Sequence, residues 1–186
     1  MKRLKKILVL LFTIIGLSAL WYLADKKDYF KYDYRDLTVS QQHFFEWQDG
    51  DDVEKLMQRY RLHFIDSQYT FPRQKVTKVK LFRNVPMVSV LTSKTLKPEY
   101  VDNFVAFCND TTNFQWGETT WHLNESKYFC KLYNADGNVV GKIYFYFDGC
   151  GMTSSRPFAP TMKFGGLSTK GMNYIQRLFA DKTKWN

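Results

Sequence analysis

A cysteine flanked by glycines is the residue of this chain whose surroundings best suit covalent chemistry. Cys150 lies in the run Asp148-Gly149-Cys150-Gly151, directly after a predicted strand. A thiolate beside a histidine is a nucleophile, and His122, with His63 as an alternative, is the candidate base. Glycines at the end of a strand also serve a tight turn or a bulge, and no third group that would orient the base is evident. Cys150 and His122 are the catalytic candidates, but a turn is the interpretation we prefer.

A second set of candidates follows this cysteine in the chain. The residues over 148–166 are rich in Gly, Pro and Ser and predict a long ordered loop, which carries Arg156, Phe158, Lys163 and Phe164. A loop with such cations and rings can grip a peptide or an anionic group. It can also be a rigid connection whose rings cap the core, and we prefer that interpretation.

No pattern in the sequence predicts a metal or a cofactor. The cysteines, Cys108, Cys130 and Cys150, lack the paired CxxC spacing of zinc sites, and the three histidines are far apart along the chain. Neither phosphate-binding motif, GxxxxGK[ST] or GxGxxG, is present. An oxidising compartment permits one disulfide, of unspecified pairing, whereas the alternative is that all three cysteines are buried as small hydrophobic residues.

The positive charge of the chain is concentrated at its N-terminus. The formal net charge is +9, from 27 basic and 18 acidic residues. Four of the basic residues lie in the first six positions, which leaves 23 basic and 18 acidic residues, a net charge of +5, in the remainder. This mild excess is typical of a solvated surface and does not predict a nucleic-acid partner.

The N-terminal residues predict a membrane anchor. A basic stub over 1–6 precedes an uncharged apolar run over 7–24, about 27 Å long as a helix, near the roughly 30 Å of a bilayer core. Leu17 and Tyr22 occupy positions where a cleavable signal peptide needs small residues, which favours an uncleaved anchor. The basic stub predicts a cytoplasmic N-terminus in a single-pass inner (plasma) membrane protein. A linker over 25–37 then leads to one extracytoplasmic domain over 38–186.

Periodicity predicts the elements of that domain. Helices are expected from Val39 to Trp47, after Asp51 or Asp52, from Pro98 through Cys108, and from Thr169 to Phe179 with Ser168 as N-cap. Strands are expected over 75–82, 85–92, 114–122, 126–133 and 139–147. This order predicts an α+β domain, a mostly antiparallel sheet with helices packed on one face.

The Asp136-Gly137 pair predicts a hairpin between the last two strands. Its register places Lys131 opposite Lys142 on the outer face of the sheet. Like charges in that position must reach water, an acid or an anionic partner, and a solvated face is the interpretation we prefer over a binding role.

These features predict a membrane-tethered binding protein without catalysis, such as an immunity or inhibitor-type protein, with a protein partner. Two alternatives stay open. One is a thiol-dependent envelope enzyme that uses Cys150 with a histidine, and the other is an assembly subunit that acts through its transmembrane helix, near Gly16, Ser18 and Ala19.

Overall fold

The first element of the fold is a long apolar helix. A computed structural model of the chain describes residues 2–26, 33–35, 38, 48–52, 54–55, 58–59, 69–85, 89, 93–115, 126–145, 153–159, 162 and 166–186. Helix α1 spans Lys2–Lys26. Its segment Arg3–Ala24, which begins with three basic residues among its first four, is long and apolar enough by composition to cross a membrane, and none of it is buried. These 22 residues extend about 33 Å. A signal peptide near an N-terminus meets the same criteria.

The described strands form one antiparallel sheet. Its strands are β1 (Lys78–Arg83), β2 (Lys94–Thr95), β3 (Tyr128–Tyr133), β4 (Val139–Phe145) and β5 (Ser154–Arg156). Their order across the sheet is β2-β1-β3-β4-β5, and each neighbouring pair is antiparallel. With the helices below, this arrangement confirms the predicted α+β class.

The predicted hairpin is confirmed with its register. Tyr128 pairs with Phe145, Cys130 with Ile143 and Leu132 with Gly141. The register shifts after Leu132, where a bulge precedes the turn. Gly137 has a φ of 81°, a conformation that residues with a Cβ rarely adopt, so the Asp-Gly pair determines this turn.

Two helices cover one face of the sheet. Helix α2 (Val101–Asn109) follows a 3₁₀ turn at Pro98–Tyr100, and α3 spans Thr169–Ala180. The Phe104 ring of α2 and the Phe179 ring of α3 lie 6.2 and 5.8 Å from the ring of Phe145 in β4. In α2, the predicted core positions Val101, Phe104 and Cys108 are buried. Both helices therefore pack on the same face.

The N-terminus of α3 is fixed to the turn that follows α2. Ser168 donates hydrogen bonds from its backbone nitrogen to the Asn113 carbonyl (2.9 Å) and from Oγ to the Thr112 carbonyl (2.7 Å). Its Oγ also accepts a bond from the Gly171 nitrogen at 3.1 Å, which confirms the predicted N-cap. A Cβ on Gly171 would lie 2.1 Å from the Asn113 carbonyl oxygen. The junction therefore accommodates only glycine at this position.

An ion pair flanks the same junction. Lys170 Nζ donates to Asp110 Oδ2 at 2.8 Å and to Thr112 Oγ1 at 2.6 Å, and Thr112 donates to Asp110 Oδ1. The hydrogen bond from Lys170, followed by that from Thr112, holds the pKa of Asp110 below its ordinary value. Because the pair is largely exposed, its contribution to stability is modest.

Two of the predicted strands, over 85–92 and 114–122, lie mostly outside the described residues. Within 85–92, Val85 is irregular and Ser89 lies in a 3₁₀ turn, and β1 pairs instead with β2. The C-terminal residue completes this edge, since Thr95 and Asn186 exchange backbone hydrogen bonds of 3.0 and 2.8 Å. Such pairing depends on backbone groups and leaves no periodic apolar pattern in two residues. Of the strand predicted over 114–122, Phe114 forms a bridge to Leu167, and residues 116–122 lie outside the described residues.

Part of the predicted loop over 148–166 is also a strand. β5 pairs with β4 through three residues, which is too short for an alternating pattern to reveal it. In the second predicted helix, the Asp52 side chain accepts a hydrogen bond from the Lys55 nitrogen at 2.8 Å, as expected for an N-cap. The helix predicted over 39–47 lies outside the described residues.

Candidate functional site

The described residues contain part of the predicted site. Arg156 is the last residue of β5 and is exposed, and Phe158 is half-buried just beyond it. The carbonyl of Phe158 accepts a 2.6 Å hydrogen bond from Arg73 Nη2, which fixes the chain after β5. The other predicted site residues, namely Cys150, His122, Lys163 and Phe164, lie outside the described part of the chain.

Four basic residues occupy one row across four strands. Lys80 of β1 pairs with Lys131 of β3, Lys131 with Lys142 of β4, and Lys142 with Arg156 of β5. Residues in register across an antiparallel sheet project from the same face. We call these four residues the cation row. Its face is opposite to the one that α2 and α3 cover, because the row alternates along each strand with the residues of the core.

An aromatic row lies beside the cation row on the same face. It consists of Phe82, Phe129 and Tyr144, which are in register on β1, β3 and β4. The rings of Phe82 and Phe129 are stacked with centroids 5.0 Å apart, and that of Tyr144 lies 5.4 Å from Phe129. In the next strand Ser154 takes this position. The face therefore has one line of cations and one line of rings.

The two central lysines place their ammonium groups over these rings. Lys131 Nζ lies 5.2 Å from the centroid of Phe82 and 5.9 Å from that of Phe129. Lys142 Nζ lies 5.2 Å from the centroid of Phe129 and 5.1 Å from that of Tyr144. A cation over a ring face gains about 0.5–2 kcal/mol, more where water is excluded.

Both central lysines are buried, so the predicted solvated face is wrong here. Their exposed fractions are 7% for Lys131 and 1% for Lys142. The two ammonium groups flank the same Phe129 ring, which places them at most about 11 Å apart. At an effective dielectric constant of about 20, two unit charges at that distance repel by about 1.5 kcal/mol or more. The rings offset part of this cost, because they supply negative faces between the two charges.

The ends of the cation row differ from its centre. Lys80 is half-buried. Arg156 is exposed on β5, which is an edge strand of the sheet formed by the described residues. The sequence predicted that Lys131 and Lys142 are paired, because the Asp-Gly turn determines the register of β3 and β4. It did not predict the row of four cations. Lys80 and Arg156 join the pair only through contacts between strands that are distant in sequence.

The described cysteines belong to the core rather than to a reactive site. Cys108 and Cys130 are thiols with no exposed surface. Burial raises the pKa of both groups far above its ordinary value, and the neighbouring Cys108 raises that of Cys130 further. Neutral, enclosed thiols are poor nucleophiles. For these two residues, the interpretation as small buried hydrophobic side chains is confirmed.

No group of three or more His, Cys, Asp and Glu side chains within the described ranges has the arrangement of a metal site. Comparison of the chain with protein-family models, with curated proteins and with solved structures finds no match. The chemistry of the cation row and its exposed end at Arg156 is therefore the basis for a functional proposal.

Proposed function

We propose that this protein is a membrane-tethered binding protein that recognises an acidic surface of a partner protein through the edge of its sheet at Arg156. The observation that supports it is the cation row, which ends on the exposed residue Arg156. An arginine presents several donors in a fixed plane and binds carboxylates in a bidentate manner. The proposed activity is binding rather than catalysis, as in immunity or inhibitor-type proteins.

The edge at Arg156 is a better contact surface than the middle of the same face. Lys131 and Lys142 are enclosed and stabilised by rings, so they are not available to a partner. Arg156 is exposed, and so is Ser154 two residues before it on the same strand. Basic residues at an interface act mainly on the rate of association and on specificity. The partner is therefore expected to have clustered carboxylates.

The tether in this proposal is α1. Its segment Arg3–Ala24 has the length of a membrane crossing, and four basic residues precede the uncharged run over 7–24 within it. An excess of Lys and Arg next to a span favours the cytoplasmic side for that flank. The proposed topology is a cytoplasmic N-terminus, one crossing of the inner (plasma) membrane and a globular domain outside the cytoplasm, with the anchor retained.

Crosslinking from the edge strand tests the proposed interface. A photo-reactive amino acid at Ser154 leaves Arg156 intact, and irradiation of intact membranes should yield a discrete adduct with one protein. Arg156→Glu should abolish that adduct. Arg177→Glu is the matched control. Arg177 is exposed on α3, so its substitution makes the same change of charge in the helical layer, away from β5. The absence of an adduct, or an equal loss from both variants, would exclude this surface.

Exchange of the anchor separates this proposal from assembly through the membrane helix. A chain with an unrelated single-pass anchor in place of residues 1–24 should keep the adduct from position 154. If the exchange removes the adduct while the chain remains in the membrane, contacts of α1 itself are required, and the assembly-subunit alternative is favoured.

A further inference from the structure

Asp33, in the segment after α1, forms hydrogen bonds with the domain. The Asp33 nitrogen donates a 3.1 Å hydrogen bond to the carbonyl of Val139, at the start of β4. The Asp33 carbonyl accepts a 2.6 Å hydrogen bond from Gln74 Nε2. One residue is thus held by two different parts of the domain. The point at which the domain is attached to its tether is therefore Asp33 rather than a later residue.

The chain between α1 and this attachment point is short. α1 ends at Lys26, and Asp33 is seven residues further on. A fully extended chain spans at most about 3.6 Å per residue, so the attachment point lies within about 25 Å of the end of α1. A compact domain of about 150 residues is roughly 38 Å across. The tether is thus shorter than the domain that it holds.

The attachment point lies at one end of the sheet. Val139 pairs with Tyr133, on the two sides of the hairpin turn that contains Gly137. The other end of β3 is Tyr128, which pairs with Arg83 of β1. Five residue steps along β3 separate the two ends by about 17 Å. Within the described residues, the hydrogen bonds of Asp33 hold the turn end.

From these contacts we infer that the turn end of the domain rests on the lipid headgroups of the membrane that α1 crosses, an inference that depends on the proposed tether. The surface there suits a headgroup layer: Lys75 is exposed, and Lys78 Nζ lies 4.7 Å from the centroid of the Tyr133 ring. Lysine and tyrosine side chains are amphipathic and favour such interfaces. Asp33 and Asp136 are exposed at the same end, so its charge is nearly balanced. The short tether, more than electrostatic attraction, keeps this end of the domain near the membrane.

This placement also restricts the partner. Arg156 pairs with Lys142, which is three residues beyond Val139 in β4. At about 3.4 Å per residue, the proposed binding edge lies about 10 Å above the turn end. A partner that contacts Arg156 must therefore have its acidic surface close to the membrane.

Fluorescence quenching in vesicles tests the orientation. The full chain is reconstituted in vesicles of phosphatidylcholine with a minor fraction of phosphatidylglycerol and a headgroup-attached quencher. A dye is coupled to a non-natural amino acid at Asp136, in the turn, or at Lys127, which precedes β3 at the other end, and both positions are exposed. Because the two positions are about 17 Å or more apart, quenching at 136 should exceed that at 127 by roughly twofold or more.

A longer tether is the second variant. Insertion of about twenty Gly and Ser residues after Asp28 gives a flexible segment and should make quenching at the two positions nearly equal. Equal or reversed quenching in the native chain would overturn the inference, and so would a difference that survives the insertion. Failure of the tether is a separate result, since a chain without a membrane anchor would not float with the vesicles at all.

Discussion

Replacement of Gly171 by alanine tests how α3 is positioned. The new Cβ would lie 2.1 Å from the carbonyl oxygen of Asn113 and 3.0 Å from its carbonyl carbon. Both are backbone atoms, so no side-chain rotation can relieve the overlap. Either α3 or the turn over 111–113 must move by about 1 Å, and the hydrogen bonds from Ser168 to Asn113 and Thr112 lengthen as a result.

Three contributions determine how much Gly171→Ala lowers the free energy of unfolding. Alanine favours a helix over glycine by about 1 kcal/mol, which opposes the effect. Overpacking costs about 1–3 kcal/mol, and the two weakened hydrogen bonds of Ser168 cost about 1 kcal/mol each. The free energy of unfolding should therefore fall by about 2–4 kcal/mol. For a domain of this size the melting temperature should fall by roughly 5–15 °C.

Thermal unfolding of the full chain in detergent, followed by near-ultraviolet circular dichroism, measures this change. Trp185 reports on the region, because its Nε1 donates a 2.8 Å hydrogen bond to the carbonyl of Leu178 in α3. Asn173→Ala is the control: Asn173 is exposed in the same helix, and the substitution should change stability by no more than about 0.5 kcal/mol. If Gly171→Ala is as stable as the native chain, Gly171 does not pack against the Asn113 backbone as closely as the structure shows.

Three further predictions concern buried and ionised groups. Lys142→Ala removes a side chain that is 1% exposed; the cavity costs about 2–4 kcal/mol, and the lost ring contacts, about 0.5–2 kcal/mol, roughly offset the relieved repulsion from Lys131. The free energy of unfolding should therefore fall by about 2–4 kcal/mol, against less than about 1 kcal/mol for the same substitution of the half-buried Lys80, and equal losses in urea unfolding would contradict the burial of Lys142. Burial raises the pKa of the Cys108 and Cys130 thiols, so both should react with iodoacetamide only as fast as the domain unfolds. Peptide mass spectrometry measures this rate, and rapid alkylation of either thiol in the folded protein would refute their burial. Hydrogen bonds from Lys170 and Thr112 lower the pKa of Asp110, so the stabilising effect of this carboxylate is present above its unfolded pKa of about 3.9 and is lost as the pH falls through the lower native pKa. Asp110→Asn should therefore reduce the acid dependence of the melting temperature. An unchanged dependence would count against the ion pair between Asp110 and Lys170.

Local signals in the sequence determined several elements of this fold. The Asp136-Gly137 pair and the alternation on both sides of it predicted the β3–β4 register, because a short turn aligns its flanking strands directly. Pro98 and the apolar spacing through Cys108 predicted α2, and Ser168 predicted the start of α3. In each case the decisive groups lie within a few residues of one another.

Contacts between distant segments decided the features of the candidate site. β1 lies beside β3, and β5 lies beside β4, through backbone hydrogen bonds that carry no residue-specific signal, so the cation row could not be read from the sequence. Burial of Lys131 and Lys142 likewise depends on what encloses them, whereas a lysine in a sequence favours exposure. The sequence alone determined an apolar N-terminal helix and the local elements of an α+β domain. The tertiary structure decided which strands are neighbours, and thereby that four cations share one row with a single exposed end at Arg156.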